Sequence, residues 1–462
     1  MMMNTNDYIA KHQNRFIEEL IAFLRIPSIS TLPEHQEDIK KATHFVRDQL
    51  LAAGADKAWI IETTGHPLVY GEKIIDPQLP TVLVYGHYDV QPADPYELWN
   101  SDPFEPIIKN DNIFARGAAD DKGQLYIHVK ALETMISNQS LPCNIKFLIE
   151  GEEEMGSGSL TSFLENPANH ELLQADAILV SDTTIVSMEH PSLTIGLRGI
   201  VYAEVTLTGP NRDLHSGVYG GAVANPVNIL CKMLAALHDE HGHIAIPGFY
   251  DQVPDLTATE RAELNSIPFD LEVYKQTLGI DKVIGEKGYT TLERVGIRPS
   301  LDVNGIWGGY IGAGAKTVLP SQAHAKVSMR LVPNQDAKQV MDAFIDYFSS
   351  LAPKGTHVTI KPYHGGCNAV VLDKSSLAFL AAENAFETVW GKRPFATREG
   401  GSIPIIAKFK EKLGTDAVLM GFGLDTDAIH SPNEHFSLIA FSKGIRTVIS
   451  FYQHLAELYR NR

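Results

Sequence analysis

Apolar and polar positions along the chain fall into short buried runs and longer amphipathic ones. Thr81–Tyr85 (TVLVY) is β-branched, aliphatic or aromatic throughout, which predicts a core strand. The run stops at Gly86 and presents His87 and Asp89, two positions apart and so on one face of an extended chain. Ile145–Ile149 likewise ends in Glu150, then Glu152, Glu153 and Glu154. Ala177–Val180 ends in Ser181 and Asp182, and Ala417–Met420 leads through GFGLDTDAI to His430. Each of these strands delivers His, Asp or Glu just past its carboxyl end, where open α/β sheets bind ligands. The pattern predicts one acidic, histidine-containing site on the rim of a sheet.

Helical spacing predicts amphipathic helices at Asp7–Leu24, Gln36–Ala53, Gln124–Ile136 and Ser375–Val389, with a further strand near Ala58–Glu62. Gln91–Pro106, rich in Pro and Asp, reads as a long loop beside the first strand end. Asp120 and Asp121 precede a helix start, and Asp121 reads most simply as a helix-start acid. Near residue 196 the pattern changes. Val201–Leu207 alternates as a half-buried strand, followed by helix Ala224–Leu237, strand Ala323–Leu331, helix Asp336–Leu351 and strand His357–Pro362. This predicts an inserted domain of about 170 residues. The interval Ile246–Pro299 has no clear pattern. Gly305–Gly314, followed by Ala315, Lys316 and Thr317, invites a phosphate-loop reading that fails because Ala315 separates glycine from lysine; a glycine-rich turn is expected instead.

The chain has 462 residues, more than one core usually holds, and about two to three domains are expected. A net charge of −17 argues against nucleic acid or an anionic membrane as partner and favours cations collecting at an acidic site. Cys143, Cys231 and Cys367 are odd in number and widely spaced, so neither a disulfide framework nor a thiolate metal site is expected. The first twenty residues mix charges and lack an apolar core, and no run is long enough to span a membrane, so a cytoplasmic protein is expected.

Histidines and carboxylates without cysteine suit Zn²⁺ or Mn²⁺. Five such ligands, one of them shared, can hold two ions about 3.5–4 Å apart. The motifs GHYDVQP, RGAADDKG, EGEEEMGSG, SDT, RDLHSG, GAGAKTVLP, MRLVPN, REGGSIP and IHSPNE resemble, in order and spacing, those of the co-catalytic two-metal metallopeptidases. Within that family the chain is most similar to the carnosinases and cytosolic nonspecific dipeptidases, with the acetylornithine and succinyl-diaminopimelate deacylases as cousins.

The resemblance implies a zinc-peptidase-like α/β/α catalytic domain built from 1–196 and 371–462, with an α+β lid and dimerisation domain inserted at 197–370. It implies two divalent ions, Zn or Mn, per subunit of a homodimer, held by His87, Asp120, Glu154, Asp182 and His430 with Asp120 bridging. Asp89 would orient His87, and Glu153 would be the general base acting on a metal-bridging hydroxide. His215 would stabilise the oxyanion from the partner subunit, while Thr317, Arg330, His364 and Ser402 would contact substrate. The implied activity is hydrolysis of dipeptides or short peptides with a free carboxylate. The alternatives are deacylation of N-acyl amino acids at the same site and a catalytically dead scaffold homologue, which the intact ligand set disfavours.

Overall fold

The computed structural model describes residues 4–363 and 366–462, so His364 lies outside the described residues. The chain divides into two compact units: one of 1–195, 372–397 and 405–462, the other of 196–371 and 398–404. The short segment 398–404, which follows the insert in sequence, therefore belongs to the second unit and carries Ser402 with it.

The first unit is α/β. Its sheet runs in the order Lys57–Ile61, Leu68–Lys73, Asn144–Glu150, Thr81–His87, Ala177–Val180, Ala417–Leu419, Ser192–Leu197. Thr81–His87 lies parallel to both Asn144–Glu150 and Ala177–Val180, and Ala417–Leu419 lies parallel to Ala177–Val180. The strands that end in His, Asp or Glu thus share one direction and discharge at one edge. Alternation assigns their two faces. Val82 and Val84 join the core formed with helices Thr5–Leu24, Lys122–Ser137, Leu377–Trp390 and Leu438–Arg460, whereas Tyr85 meets Phe409 edge-on at a centroid distance of 5.4 Å. Both faces being covered explains why these strands read as unbroken apolar runs.

The second unit carries an antiparallel sheet in the order Ser300–Gly308, Gln322–Leu331, Gly199–Thr208, His357–Pro362. Gly199–Thr208 alternates buried and half-buried along its whole length, with Val201, Ala203, Val205 and Leu207 facing helices Pro226–Ala235 and Ala337–Ser350. Two expectations change here. The first part of the glycine-rich stretch is not a turn, because residues up to Gly308 form a strand paired with Gln322–Leu331. The unpatterned interval contains helices Ala258–Asn265, Leu271–Leu278 and Thr291–Gly296, and the first and last of these begin in capping boxes, Thr257 with Glu260 and Thr290 with Glu293. Among the described residues no helix is long and apolar enough to cross a membrane.

Candidate metal centre

The rim of the first sheet gathers the acids and histidines into two groups. His87, Asp120 and Asp182 each offer a ligand atom within 4.8 Å of the others, and so do Asp120, Glu154 and His430. Asp120 belongs to both. His87 Nε2 lies 3.1 Å from Asp120 Oδ1 and 3.9 Å from Asp182, while His430 Nε2 lies 2.9 Å from Asp120 Oδ2 and 3.3 Å from Glu154.

Strand ends deliver two of these residues directly. His87 closes strand Thr81–His87, and Asp182 follows strand Ala177–Val180 after one residue. Asp120 comes from the turn ahead of helix Lys122–Ser137. Glu154 sits in the single 3-10 turn Glu153–Met155, which left-handed Gly156 and Ser157 terminate. Gly151, where that loop begins, admits no side chain, because a Cβ would fall 2.3 Å from the Tyr88 ring.

The glutamate run EGEEEMGSG is divided by its hydrogen bonds. Glu152 turns away, accepting the His66 N–H at 2.6 Å and the Ser159 N–H at 2.7 Å. Glu154 joins Asp120 and His430, and its Oε2 accepts a hydrogen bond from Gln91 Nε2 at 2.8 Å. Asp89 is fully buried. Its carboxylate lies 3.3 Å from His87 Nδ1 and accepts the backbone N–H groups of Glu153 and Glu154, both at 3.2 Å.

Asp121 corrects the expectation of a helix-start acid. It occupies the N-cap position without a capping hydrogen bond and instead accepts the backbone N–H of His87 at 3.2 Å. Gln91, Arg116 and Glu434, to which the sequence by itself gave no role, lie in GHYDVQP, RGAADDKG and IHSPNE.

The electrostatics are those of an anionic pocket. Burial pushes the carboxyls of Glu153, Glu154 and Asp182 upward, and neighbouring carboxylates add to it. Burial also opposes ionisation of Asp120, but hydrogen bonds from His430 and His87 outweigh it and hold its pKa low. The same contact with Asp120, then that with Glu154, raises His430 to about 10. Carboxylates crowded in this way need compensating positive charge. Oxygen and imidazole donors, with no thiolate among them, fit divalent cations.

The second unit assembles another group. Arg330 is half-buried on strand Gln322–Leu331 and donates from Nη1 to Ser402 Oγ at 2.8 Å. Among the described residues no carboxylate lies within ion-pair distance of it, and burial lowers its pKa. His215 is exposed on the short pair Leu214–His215 and Val318–Leu319, and exposed Thr317 immediately precedes the second strand, its carbonyl accepting the Ser216 N–H at 3.0 Å. His215 Nδ1 accepts the Gly217 N–H at 3.0 Å, which assigns the proton of the neutral ring to Nε2.

The sequence model of peptidase family M20/M25/M40 matches residues 83–454. The chain is 34% identical to the Cys-Gly metallodipeptidase dug1 of Schizosaccharomyces pombe, over 98% of each chain. It is 32% identical to the Beta-Ala-His dipeptidase of Homo sapiens, over 98% of this chain and 92% of that one. The solved structure of the di-peptidase Dug1p from Saccharomyces cerevisiae superposes with a TM-score of 0.87 at 31% identity, covering 98% of both chains. With the strand ends that carry His87 and Asp182 inside the matched span, this chain belongs to the M20/M25/M40 family of peptidases.

Proposed function

We propose that this chain hydrolyses the peptide bond of dipeptides bearing a free carboxylate, using two divalent cations. The observation that carries the reading is the sharing of Asp120 by two three-residue ligand groups. His87, Asp120 and Asp182 would hold one cation, and Asp120, Glu154 and His430 the other. Two cations held there would polarise the scissile carbonyl and lower the pKa of water between them. The donor set suits Zn or Mn equally.

Glu153 is the general base in this reading. It is adjacent to Glu154, and its backbone is anchored by Asp89. It takes a proton from the attacking water and returns it to the leaving amine nitrogen. Arg330, a half-buried cation whose hydrogen-bond partner among the described residues is the Ser402 hydroxyl, is suited to grip the substrate carboxylate through its planar guanidinium. Ser402 and Thr317, with His364, complete the proposed substrate contacts. His215 supplies Nε2–H to the tetrahedral oxyanion, reaching from the partner subunit of a homodimer. Support for the dimer comes from edge strand Ser300–Gly308, which exposes Val303, Ile306 and Trp307 on the outermost strand of its sheet. Three free cysteines support placing the protein in the reducing cytoplasm.

A panel of dipeptides and the matching N-acetyl amino acids tests the activity. Hydrolysis of dipeptides in preference to N-acetyl amino acids is expected. Preference for the N-acetyl compounds would make the protein a deacylase, and no turnover of either with Zn²⁺ or Mn²⁺ present would make it a scaffold.

A further inference from the structure

Two loops carry Asp120 and His430, and they leave the same short ladder. Strand His435–Ser437 pairs antiparallel with Asn112–Phe114, so the chain enters one loop just after Phe114 and leaves the other just before His435. Glu434 occupies the end of that ladder and its side chain is completely buried. Its carboxylate accepts four hydrogen bonds, all from the other loop. Oε2 receives Arg116 Nη1 at 2.7 Å and the Gly117 N–H at 3.1 Å, and Oε1 receives the Ala119 N–H at 3.0 Å and the Asp120 N–H at 3.2 Å. The Glu434 carbonyl adds a fifth tie, accepting the Ala115 N–H at 3.1 Å.

The four groups hydrogen-bonded to that carboxylate are the Arg116 guanidinium and three backbone N–H groups. Two are backbone N–H groups of Asp120 and its predecessor, so the carboxylate fixes the backbone from which the Asp120 side chain projects. Arg116 is equally buried and is itself held, donating to the Pro92 carbonyl at 3.2 Å and lying 5.4 Å from the Trp99 ring centroid. The clamp therefore rests on a side chain that is itself buried and held. On the far side, His430 is four residues upstream and reaches Asp120 Oδ2 at 2.9 Å.

We propose that Glu434 is a positioning residue for the metal centre, its carboxylate fixing the Asp120 loop to the His430 loop and so setting the one carboxylate that both ligand groups share. The proposal rests on the two-cation reading. It acts through backbone geometry, since Glu434 belongs to neither ligand group. Partners that orient ligands in this way typically govern about 10–100-fold in metal affinity.

Glu434→Gln is the informative change. An amide has the size of the carboxylate, but whichever way it turns, its NH₂ faces two donors. The test uses the full-length protein stripped with a chelator and retitrated with Mn²⁺, followed by calorimetry and by electron paramagnetic resonance. Wild type is expected to take up two ions with the spectrum of a spin-coupled pair. E434Q is expected to bind Mn²⁺ about 10–100-fold more weakly and to show isolated-ion spectra in place of the coupled one. A core variant of matched melting temperature, such as Leu455→Ala, is expected to keep the coupled spectrum. Should E434Q fail to fold, Glu434→Asp is read in the same way. Wild-type affinity and a coupled spectrum in the variant would overturn the proposal, as would equal loss in the core control. A wild type that never shows a coupled pair would instead overturn the two-cation reading beneath it.

Discussion

Asp89 accepts the backbone N–H of Glu154 at 3.2 Å while its other oxygen lies 3.3 Å from His87 Nδ1 and accepts the N–H of Glu153. One buried carboxylate thus ties a ligand of one group to the backbone that carries a ligand of the other and the proposed base. An acid two residues beyond a metal-ligating histidine reads naturally as an orienter of that histidine. Here it also fixes the loop from the neighbouring strand. Asp89→Ala is expected to lower metal affinity or activity by about 10–100-fold, and to affect both ligand groups. Calorimetric metal titration of wild type and variant checks this, and a loss confined to one ion would show that the loop contact carries no weight.

The division of labour between Glu153 and Glu154 predicts opposite phenotypes. Glu153→Ala is expected to retain its metal and lose about 10²–10⁴-fold in turnover, the usual contribution of a positioned base. Glu154→Ala is expected to lose metal first, because Glu154 is the residue grouped with Asp120 and His430. Elemental analysis beside kcat separates the two, and the reversed pattern would shift the assignment by one residue.

His215→Ala is expected to cost about 10²–10³-fold in turnover, as for other oxyanion donors, with metal content unchanged. If the histidine serves the partner's site, two inactive variants complement each other. Mixing dissociated His215→Ala and Glu153→Ala subunits makes half the dimers mixed, each with one complete site, and about a quarter of wild-type activity returns. Mixed dimers confirmed by mass but without activity would place His215 in its own subunit's site.

Acid stability of the second unit is expected to depend on Glu293. Its buried carboxylate accepts from Arg261 Nε at 2.6 Å and Nη2 at 2.8 Å, and also from Asn265 and the Thr290 N–H. The hydrogen bonds from Arg261, before the other contacts, hold its pKa down at about 2 against an ordinary 4.5. A group depressed in the folded state stabilises fully above its unfolded pKa and loses that contribution as pH falls through the folded one. The difference in urea midpoint between wild type and Glu293→Gln should therefore be largest above about pH 5 and vanish towards pH 2. A difference independent of pH would mean that the ion pair contributes nothing through its charge.

Strand and helix periodicity made most elements legible. Predicted helix Gln36–Ala53 is found at Gln36–Ala52 and predicted strand Ala323–Leu331 at Gln322–Leu331. The capping boxes at Thr257 and Thr290 were written in the sequence as Thr-x-x-Glu, yet their helices are only 8 and 6 residues long and too short to show a periodic face. Strand Ser300–Gly308 escaped for another reason. Its glycines suppress the strand signal, and only pairing with Gln322–Leu331 makes it extended.

By itself the sequence determined where the chemistry could lie, because a strand that must be buried on both faces can place polar side chains only beyond its end. It also carried the ligand types, since imidazole and carboxylate are chosen by cation chemistry whatever the fold. Only the tertiary structure decided what each acid meets. Glu152, Glu153 and Glu154 are consecutive and chemically identical, and their surroundings part because one meets the N–H groups of His66 and Ser159 while another meets Asp120 and His430. Asp121 and Glu434 are divided from the ligands in the same way, by backbone N–H donors that come from segments distant in sequence. A hydrogen bond between residues more than 300 positions apart leaves no periodic trace along the chain, so it becomes visible only when the sheet has brought its strand ends together.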